Sequence, residues 1–201
     1  MKIVLASNNK HKIEEIKQML NNQEILTLKD IGYTEEIEET GKTFLENALI
    51  KARTISKFLT KKSLYYPVIA DDSGLCVEAL NGEPGVYSAR YSGTHGNDEA
   101  NRLKLLNVMK NISNRKAYFQ CVIVEYFPDK TYKIGDGKTY GNITTTKIGN
   151  DSFGYDCLFL SDDLQKTFGE ASSEEKNHVS HRYRALKSLL NQTSILKDDD
   201  N

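Results

Sequence analysis

Apolar positions along the chain alternate between short β-branched runs and longer stripes with a helical repeat. Residues 3–6 form a continuous apolar run, which predicts a buried strand. Polar Ser7, Asn8 and Asn9 follow, and then Ile13, Ile16, Met19 and Leu20 share one stripe of a predicted helix. A second strand is predicted at 24–28. Phe44, Ala48, Ala52, Ile55 and Leu59 keep register through a helix predicted over 43–59. Residues 68–70 predict a buried strand that ends at Asp71 and Asp72, with 75–79 as a pairing candidate nearby. Four glycines and Pro84 make 81–96 a long structured loop. A helix is predicted over 98–110, with an acidic first turn and a basic end, as the helix dipole favours. Residues 117–127 and 131–134 predict a hairpin around Pro128 and Asp129, and 153–160 predict one more strand. Ser172 and Glu175 fit a capping box that opens a last helix, packed through Val179, Tyr183, Leu186 and Leu190. Residues 197–201 read as a frayed acidic tail. Helices interleaved with strands, with no internal repeat and no linker, predict one α/β domain over 1–196.

Composition narrows the class. A chain of 201 residues can bury a real core, and 38% hydrophobic with 27% charged residues is neither a disordered nor a membrane-spanning balance. No run approaches the length of a membrane span, and the first apolar run is too short for a signal peptide, so the expected location is the cytoplasm with no membrane partner. The formal net charge of -1 argues against a general nucleic-acid binder, which needs surplus positive charge to displace counterions. A small anionic ligand stays open, because a few lysines can converge in a neutral protein. Cys76, Cys121 and Cys157 lie far apart in apolar surroundings without metal-ligand spacing, so they read as buried thiols in a reducing compartment.

Five segments carry candidate chemistry. Ser7, Asn8, Asn9, Lys10, His11 and Lys12 join the first strand to the first helix, where backbone N–H groups at a helix N-terminus attract anions and two lysines add charge. Read in isolation, the same segment is a polar loop with a helix cap. Ala70-Asp71-Asp72-Ser73-Gly74 places two carboxylates at the end of an apolar strand, where α/β proteins hold ligands. Such a pair suits Mg²⁺, which takes hard oxygen ligands, but Asp, Ser and Gly equally make a turn. Glu38 and Glu39 offer a further carboxylate before the second helix, or a solvated charge run; within that helix Asn47 and Lys51 share a face. Phe153, Gly154, Tyr155 and Asp156, after Ser152, can expose a ring for stacking and an acceptor for a base edge. In the last helix Lys176, Asn177, Ser180, His181 and Arg184 fall on one polar face, while Arg182 lies near the apolar stripe and needs a partner there.

Taken in order, these stretches resemble one family. Ser-Asn-Asn-x-x-Lys, Glu-Glu-Thr-Gly-x-Thr-Phe-x-Glu-Asn-Ala, Ala-Asp-Asp-Ser-Gly-Leu, Pro-Gly-Val-Tyr-Ser-Ala-Arg-Tyr, Phe-Gly-Tyr-Asp and Glu-Lys-Asn-x-x-Ser-His-Arg are similar to the motifs of the inosine-triphosphate pyrophosphatase family, also called Ham1-like or dITP/XTP pyrophosphatases. The resemblance covers about residues 1–190. It implies an elongated mixed β-sheet flanked by helices, in two lobes around a central cleft. It also implies a homodimer, dependence on Mg²⁺ with Mn²⁺ as the alternative, and hydrolysis of non-canonical purine nucleoside triphosphates to monophosphate and pyrophosphate. Three departures stand out: Ser7-Asn8-Asn9 for the usual Thr-Gly-Asn, Ser152 and Cys157 around Phe-Gly-Tyr-Asp, and Gly169 for the usual Ala.

By the same resemblance, Ser7, Asn8, Asn9, Lys10, His11 and Lys12 hold phosphates. Glu38 or Glu39 binds metal together with Asp72. Asp72 looks like the general base, and Ser73 like a substrate contact; on the chemistry of the residues, the Asp71–Asp72 pair would activate water jointly with the metal, and Lys12, Lys51 and Lys176 would supply positive charge. Phe153, Gly154, Tyr155, Asp156, Lys176, His181 and Arg182 match positions that hold base and sugar. Two rivals remain: a pyrophosphatase for other modified nucleotides, as in Maf-like proteins, and a nucleotide sensor without catalysis.

Overall fold

The first strand, β1 (Lys2–Leu5), is buried at Ile3, Val4 and Leu5 and leads into helix α1 (Lys10–Met19). β2 (Glu24–Thr27), helix α2 (Phe44–Lys61) and β3 (Val68–Val77) follow. After two short 3₁₀ turns come α3 (Asp98–Val108), β4 (Lys116–Tyr126) and β5 (Thr131–Ile143). The chain ends with β6 (Phe159–Ser161), α4 (Ser173–Val179), α5 (His181–Leu190) and β7 (Leu196–Lys197). The computed structural model describes residues 2–20, 23–151 and 153–198. Among them seven strands join one sheet in the order β2-β1-β3-β4-β5-β6, with β7 on β5. β1 pairs in parallel with β2 and β3, whereas β5 pairs antiparallel with β6 and β7. This is the mixed α/β class expected. None of the described helices is long and apolar enough to cross a membrane.

The chain divides into two units by contact. The first comprises Met1–Asp72, Val122–Asp136 and Ala185–Asn201. Its core packs Val4 and Ala6 against Val68, Ala70, Val124 and the α2 stripe of Ala48, Ala52, Ile55 and Leu59. The stripe follows the predicted helical repeat, and Thr43 with Glu46 closes a capping box at its start. Gly135 of β5 lets α5 lie directly on the strand: a Cβ there would fall 2.2 Å from the Ala185 carbonyl oxygen. Lys197 and Asp198 are not frayed, as the sequence reading had them. Lys197 pairs with Thr131, and Asp198 accepts from Arg53 Nε at 2.7 Å and from the Tyr126 hydroxyl at 2.6 Å. Asp199, Asp200 and Asn201 of that tail lie outside the described residues.

The second unit comprises Ser73–Cys121 and Gly137–Arg184. Its core gathers Leu75, Val77, Leu105, Met109, Phe119, Leu158, Phe159 and Phe168. All three cysteines are free and buried, as expected.

Three elements differ from expectation. The strand predicted at 68–70 does not stop at Asp71 and Asp72; it continues through Ser73 and Gly74 to Val77, because β3 lies inside the sheet and its neighbours override the local turn preference. Residues 153–158 are not strand: Gly154 takes a left-handed φ of 50° and Asp156–Leu158 form a 3₁₀ turn before β6. The last helix is two helices. Ser180 adopts an extended backbone (φ -65°, ψ 152°), and its hydroxyl accepts from the Tyr183 N–H at 3.1 Å, so it ends α4 and caps α5. The single polar face drawn through Lys176, Ser180, His181 and Arg184 therefore does not exist. Leu190 is exposed, and Ala185, Leu186 and Leu189 are the buried apolar positions of α5.

Candidate active site

In the first unit, α1, α2, β3 and the 38–41 segment bring together three acids and two lysines. Lys12 Nζ lies 2.9 Å from Asp71 Oδ2, whose side chain is 1% exposed. Lys51 Nζ lies 2.7 Å from Glu39 Oε1. Asn47, fully buried at 0% exposure, links the remaining acid to the loop. Its Nδ2 donates to Asp72 Oδ2 at 2.9 Å, and its Oδ1 accepts the Gly41 N–H at 2.8 Å. Gly41 has to be glycine for this approach, since a Cβ there would fall 2.6 Å from Asn47 Oδ1 and 2.7 Å from Glu46 Cβ. Asn47 and Lys51 are one helical turn apart, so one face of α2 carries both contacts.

The charges act on one another. Burial pulls the Lys51 ammonium down, but the carboxylates of Asp71, Asp72 and Glu39 outweigh it and hold the group above its ordinary value. Burial also pushes Asp72 above the usual carboxylate range, aided by Glu39 and opposed by Lys51, Lys12 and the Asn47 hydrogen bond. Three carboxylates face two ammonium groups, which leaves one negative charge in excess. These hard oxygen donors suit a magnesium-type cation, which takes one or two carboxylates and leaves its other positions to water and phosphate. They do not make a finished protein cage: among the described residues no three His, Cys, Asp or Glu side chains are arranged to hold a metal. Glu38 is exposed, next to Glu39 in sequence.

The loop before α1 is a helix cap. Asn9 Oδ1 accepts the Lys12 N–H at 3.3 Å, and Ser7 Oγ accepts the Asn9 N–H at 3.2 Å. Asn8, Asn9, Lys10 and His11 are exposed, leaving the N-terminal turn of α1 open to solvent. Asn8 is absent from the non-glycine positive-φ positions, which are Ser63, Asn81, Lys130 and Gln165 among the described residues. Its backbone therefore makes no demand for the family's glycine.

The second unit holds the other candidates. Ser73 Oγ accepts from Arg182 Nη2 at 3.3 Å, and Arg182 is 3% exposed. His181 is also buried and stacks on Phe119, with centroids 5.0 Å apart at 17°. Lys176 Nζ meets Asp156 Oδ2 at 2.5 Å and lies 5.1 Å from the centre of the Phe153 ring. Asp156, read as an acceptor for a base edge, thus already engages a lysine. The Tyr155 hydroxyl donates to the Ser88 carbonyl at 2.8 Å. Ser152, which precedes this segment, lies outside the described residues.

The family model described as the Ham1 family matches residues 3–192. The chain belongs to the Ham1 family. A dITP/XTP pyrophosphatase of Clostridium perfringens is 51% identical over 203 residues, spanning 98% of this chain and 99% of that protein. A dITP/XTP pyrophosphatase of Bacillus licheniformis is 48% identical over 93% of this chain and 95% of that one. The solved Staphylococcus aureus Ham1 protein superposes with a TM-score of 0.83 at 43% identity, over 93% of this chain and 95% of that one. A Coxiella burnetii HAM1 protein gives 0.84 at 38% identity, over 94% and 96%.

Two kinds of residue in this Ham1 chain escaped the sequence reading. The direct bond from Asn47 to Asp72 was missed, although its place one turn from Lys51 was noted. Asp98 and Arg102 were missed altogether: Asp98 Oδ2 accepts the Gly154 N–H at 2.8 Å, and Arg102 Nη1 donates to the Gly154 carbonyl at 2.7 Å. Their four-residue spacing on a predicted helix was the available signal, but it names no partner across a gap of 56 residues.

Proposed function

We propose that this chain is a nucleoside-triphosphate pyrophosphatase that hydrolyses deaminated purine nucleotides, dITP, ITP and XTP, to monophosphate and pyrophosphate. The observation that carries the reading is the cluster of Glu39, Asp71 and Asp72 with Lys12 and Lys51, the mixture a polyphosphate reaction needs. A triphosphate brings dense negative charge, and cleavage between its α and β phosphates requires that charge to be neutralised and a water to be placed in line. Lys12 and Lys51 supply fixed positive charge, and the N-terminal turn of α1, exposed at Asn8, Lys10 and His11, adds the positive end of the helix dipole. Glu39 and Asp72, with Glu38 as the alternative to Glu39, would hold Mg²⁺ or Mn²⁺. Such a cation, when bound, neutralises phosphate oxygens and acidifies coordinated water. A carboxylate that holds the cation is a poor free base, so Asp71 and Asp72 draw the proton from the attacking water as a pair, Asp72 held by Asn47 and raised by burial, Asp71 beside Lys12.

Base selection belongs to the second unit in this reading. The Phe153 ring stacks on the purine, while Lys176, His181 and Arg182 donate toward its polar edge. Deamination turns the 6-amino donor into a keto acceptor, so a buried donor pairs with hypoxanthine and is left unpaired by adenine. A site built on such a match discriminates by roughly 10⁴. The names of the relatives, dITP/XTP pyrophosphatase, support the same substrate class. We further infer a cytoplasmic homodimer that keeps non-canonical nucleotides out of DNA and RNA.

The decisive experiment measures pyrophosphate released from dITP, XTP and ATP, with and without EDTA. Fast release from dITP and XTP, slow release from ATP and loss with EDTA are expected. Equal rates on dITP and ATP would refute the selectivity. Asp72→Asn should abolish turnover with the fold intact; near-normal kcat in that variant removes Asp72 from its role.

A further inference from the structure

The segment 153–156 is fastened at four points, and two of them come from one face of α3. Asp98 and Arg102 are four apart on that helix, hence side by side. Asp98 takes the N–H of Gly154 at 2.8 Å and Arg102 takes its carbonyl at 2.7 Å, so neither peptide group on either side of Gly154 is free to rotate. Both bonds involve a charged partner and are of the stronger kind. Arg102 is only 4% exposed, and its Nε and Nη2 are turned back to Glu99 Oε2, at 3.3 and 2.9 Å. A guanidinium fork that bonds a backbone carbonyl and a carboxylate together has one orientation. The other two fastenings are the Tyr155 hydroxyl on Ser88 and the Asp156 carboxylate on Lys176. A Cβ on Gly154 would meet nothing within 4 Å, so the side-chain clamp, not crowding, sets this backbone.

We propose that Asp98 and Arg102 are positioning residues that fix the base-reading segment 153–156 through Gly154 and so set selectivity between keto and amino purines. The inference rests on the base-reading role given to that segment above. The physical reason is tolerance. Telling a keto oxygen from an amino group needs donors and the stacking ring held to within about 0.5 Å. A segment free to slide relaxes to meet either base and loses the penalty of an unpaired donor.

The test uses the full chain with Arg102→Ala, Asp98→Ala and the conservative Asp98→Asn, which keeps an acceptor oxygen for Gly154. Two readouts are taken: kcat and KM for dITP and dATP, and hydrogen exchange of a peptide covering 150–158. In both alanine variants the dITP/dATP ratio of kcat/KM should fall at least tenfold, mainly through a higher KM for dITP, and exchange of 150–158 should speed up. Asp98→Asn should restore both toward the unsubstituted protein. Faster exchange with an unchanged ratio overturns the selectivity role, and unchanged exchange overturns the clamp itself. If Arg102→Ala fails to fold, the Asp98 pair decides alone. If the unsubstituted chain does not prefer dITP over dATP, the base-reading role fails, and the exchange readout still judges the clamp.

Discussion

Replacing Asn47 with alanine tests the organisation of the acid cluster most directly. The side chain makes one bond to the neutral Gly41 N–H and one to the Asp72 carboxylate, both inside the protein. A neutral hydrogen bond contributes about 1 kcal/mol and one to a charged group about 2 kcal/mol. The loss is then roughly 3 kcal/mol, or about 6–12 °C of Tm at the roughly 2–4 °C per kcal/mol expected for a chain of this size. The chemistry should change too. The Asn47 bond opposes the upward push of burial on Asp72, so its removal lets that carboxyl rise further. The acid limb of the kcat/KM profile should therefore move to higher pH. Asn47→Asp sharpens the contrast: two carboxylates in hydrogen-bond contact cannot both ionise cheaply, so one pKa rises. A raised carboxyl means stability present at low pH and lost as pH rises through the folded value. Differential scanning calorimetry at pH 5 and pH 8, with the activity profile, gives all three quantities. A Tm loss below 2 °C in Asn47→Ala, with an unmoved acid limb, would refute the bridging role.

Three further outcomes are expected. Gly41→Ala drives a Cβ against Asn47 Oδ1 and its own helix start, so activity should fall at least tenfold with a lower Tm, measured by pyrophosphate release and thermal melting. Glu175, drawn down to about 2 by Lys166 and by the Ser172 N–H of its capping box, stabilises the fold at and above its ordinary 4.5, and that contribution is lost as pH falls from there toward about 2. The Tm gap between the unsubstituted chain and Glu175→Gln should accordingly be present at pH 7 and close by pH 2–3. Asp198→Ala removes the carboxylate shared by the partly exposed Arg53 guanidinium and the buried Tyr126 hydroxyl, which costs about 1–3 kcal/mol and should appear as a lower denaturant midpoint.

Much of this architecture can be read along the chain. The α2 stripe and the Ser172 capping box came straight from spacing, because helix repeat and capping are local physics. The extension of β3 through Asp71-Asp72-Ser73-Gly74 did not, since only neighbouring strands make that turn-like run pair. The break at Ser180 has no glycine or proline to announce it, and a serine capping from within a helical pattern is visible only once Tyr183 N–H is seen on its hydroxyl. The charged candidates Lys12, Lys51, Asp72 and the pair Glu38–Glu39 were legible at their motifs, but not that Glu39 rather than Glu38 meets Lys51. Their pairing was not, because which lysine neutralises which acid depends on contacts across long stretches of chain.

The bond from Arg53 to Asp198 spans 145 positions, and it fastens the helix that carries Asn47 and Lys51. During translation, at roughly 5–20 residues per second, the two ends of that bond emerge about 7–30 seconds apart. Residues 73–121 of the second unit are already made while the first still lacks its third piece. A nascent chain therefore carries its acids and lysines on an unfinished scaffold, and its capacity for chemistry arrives late in synthesis.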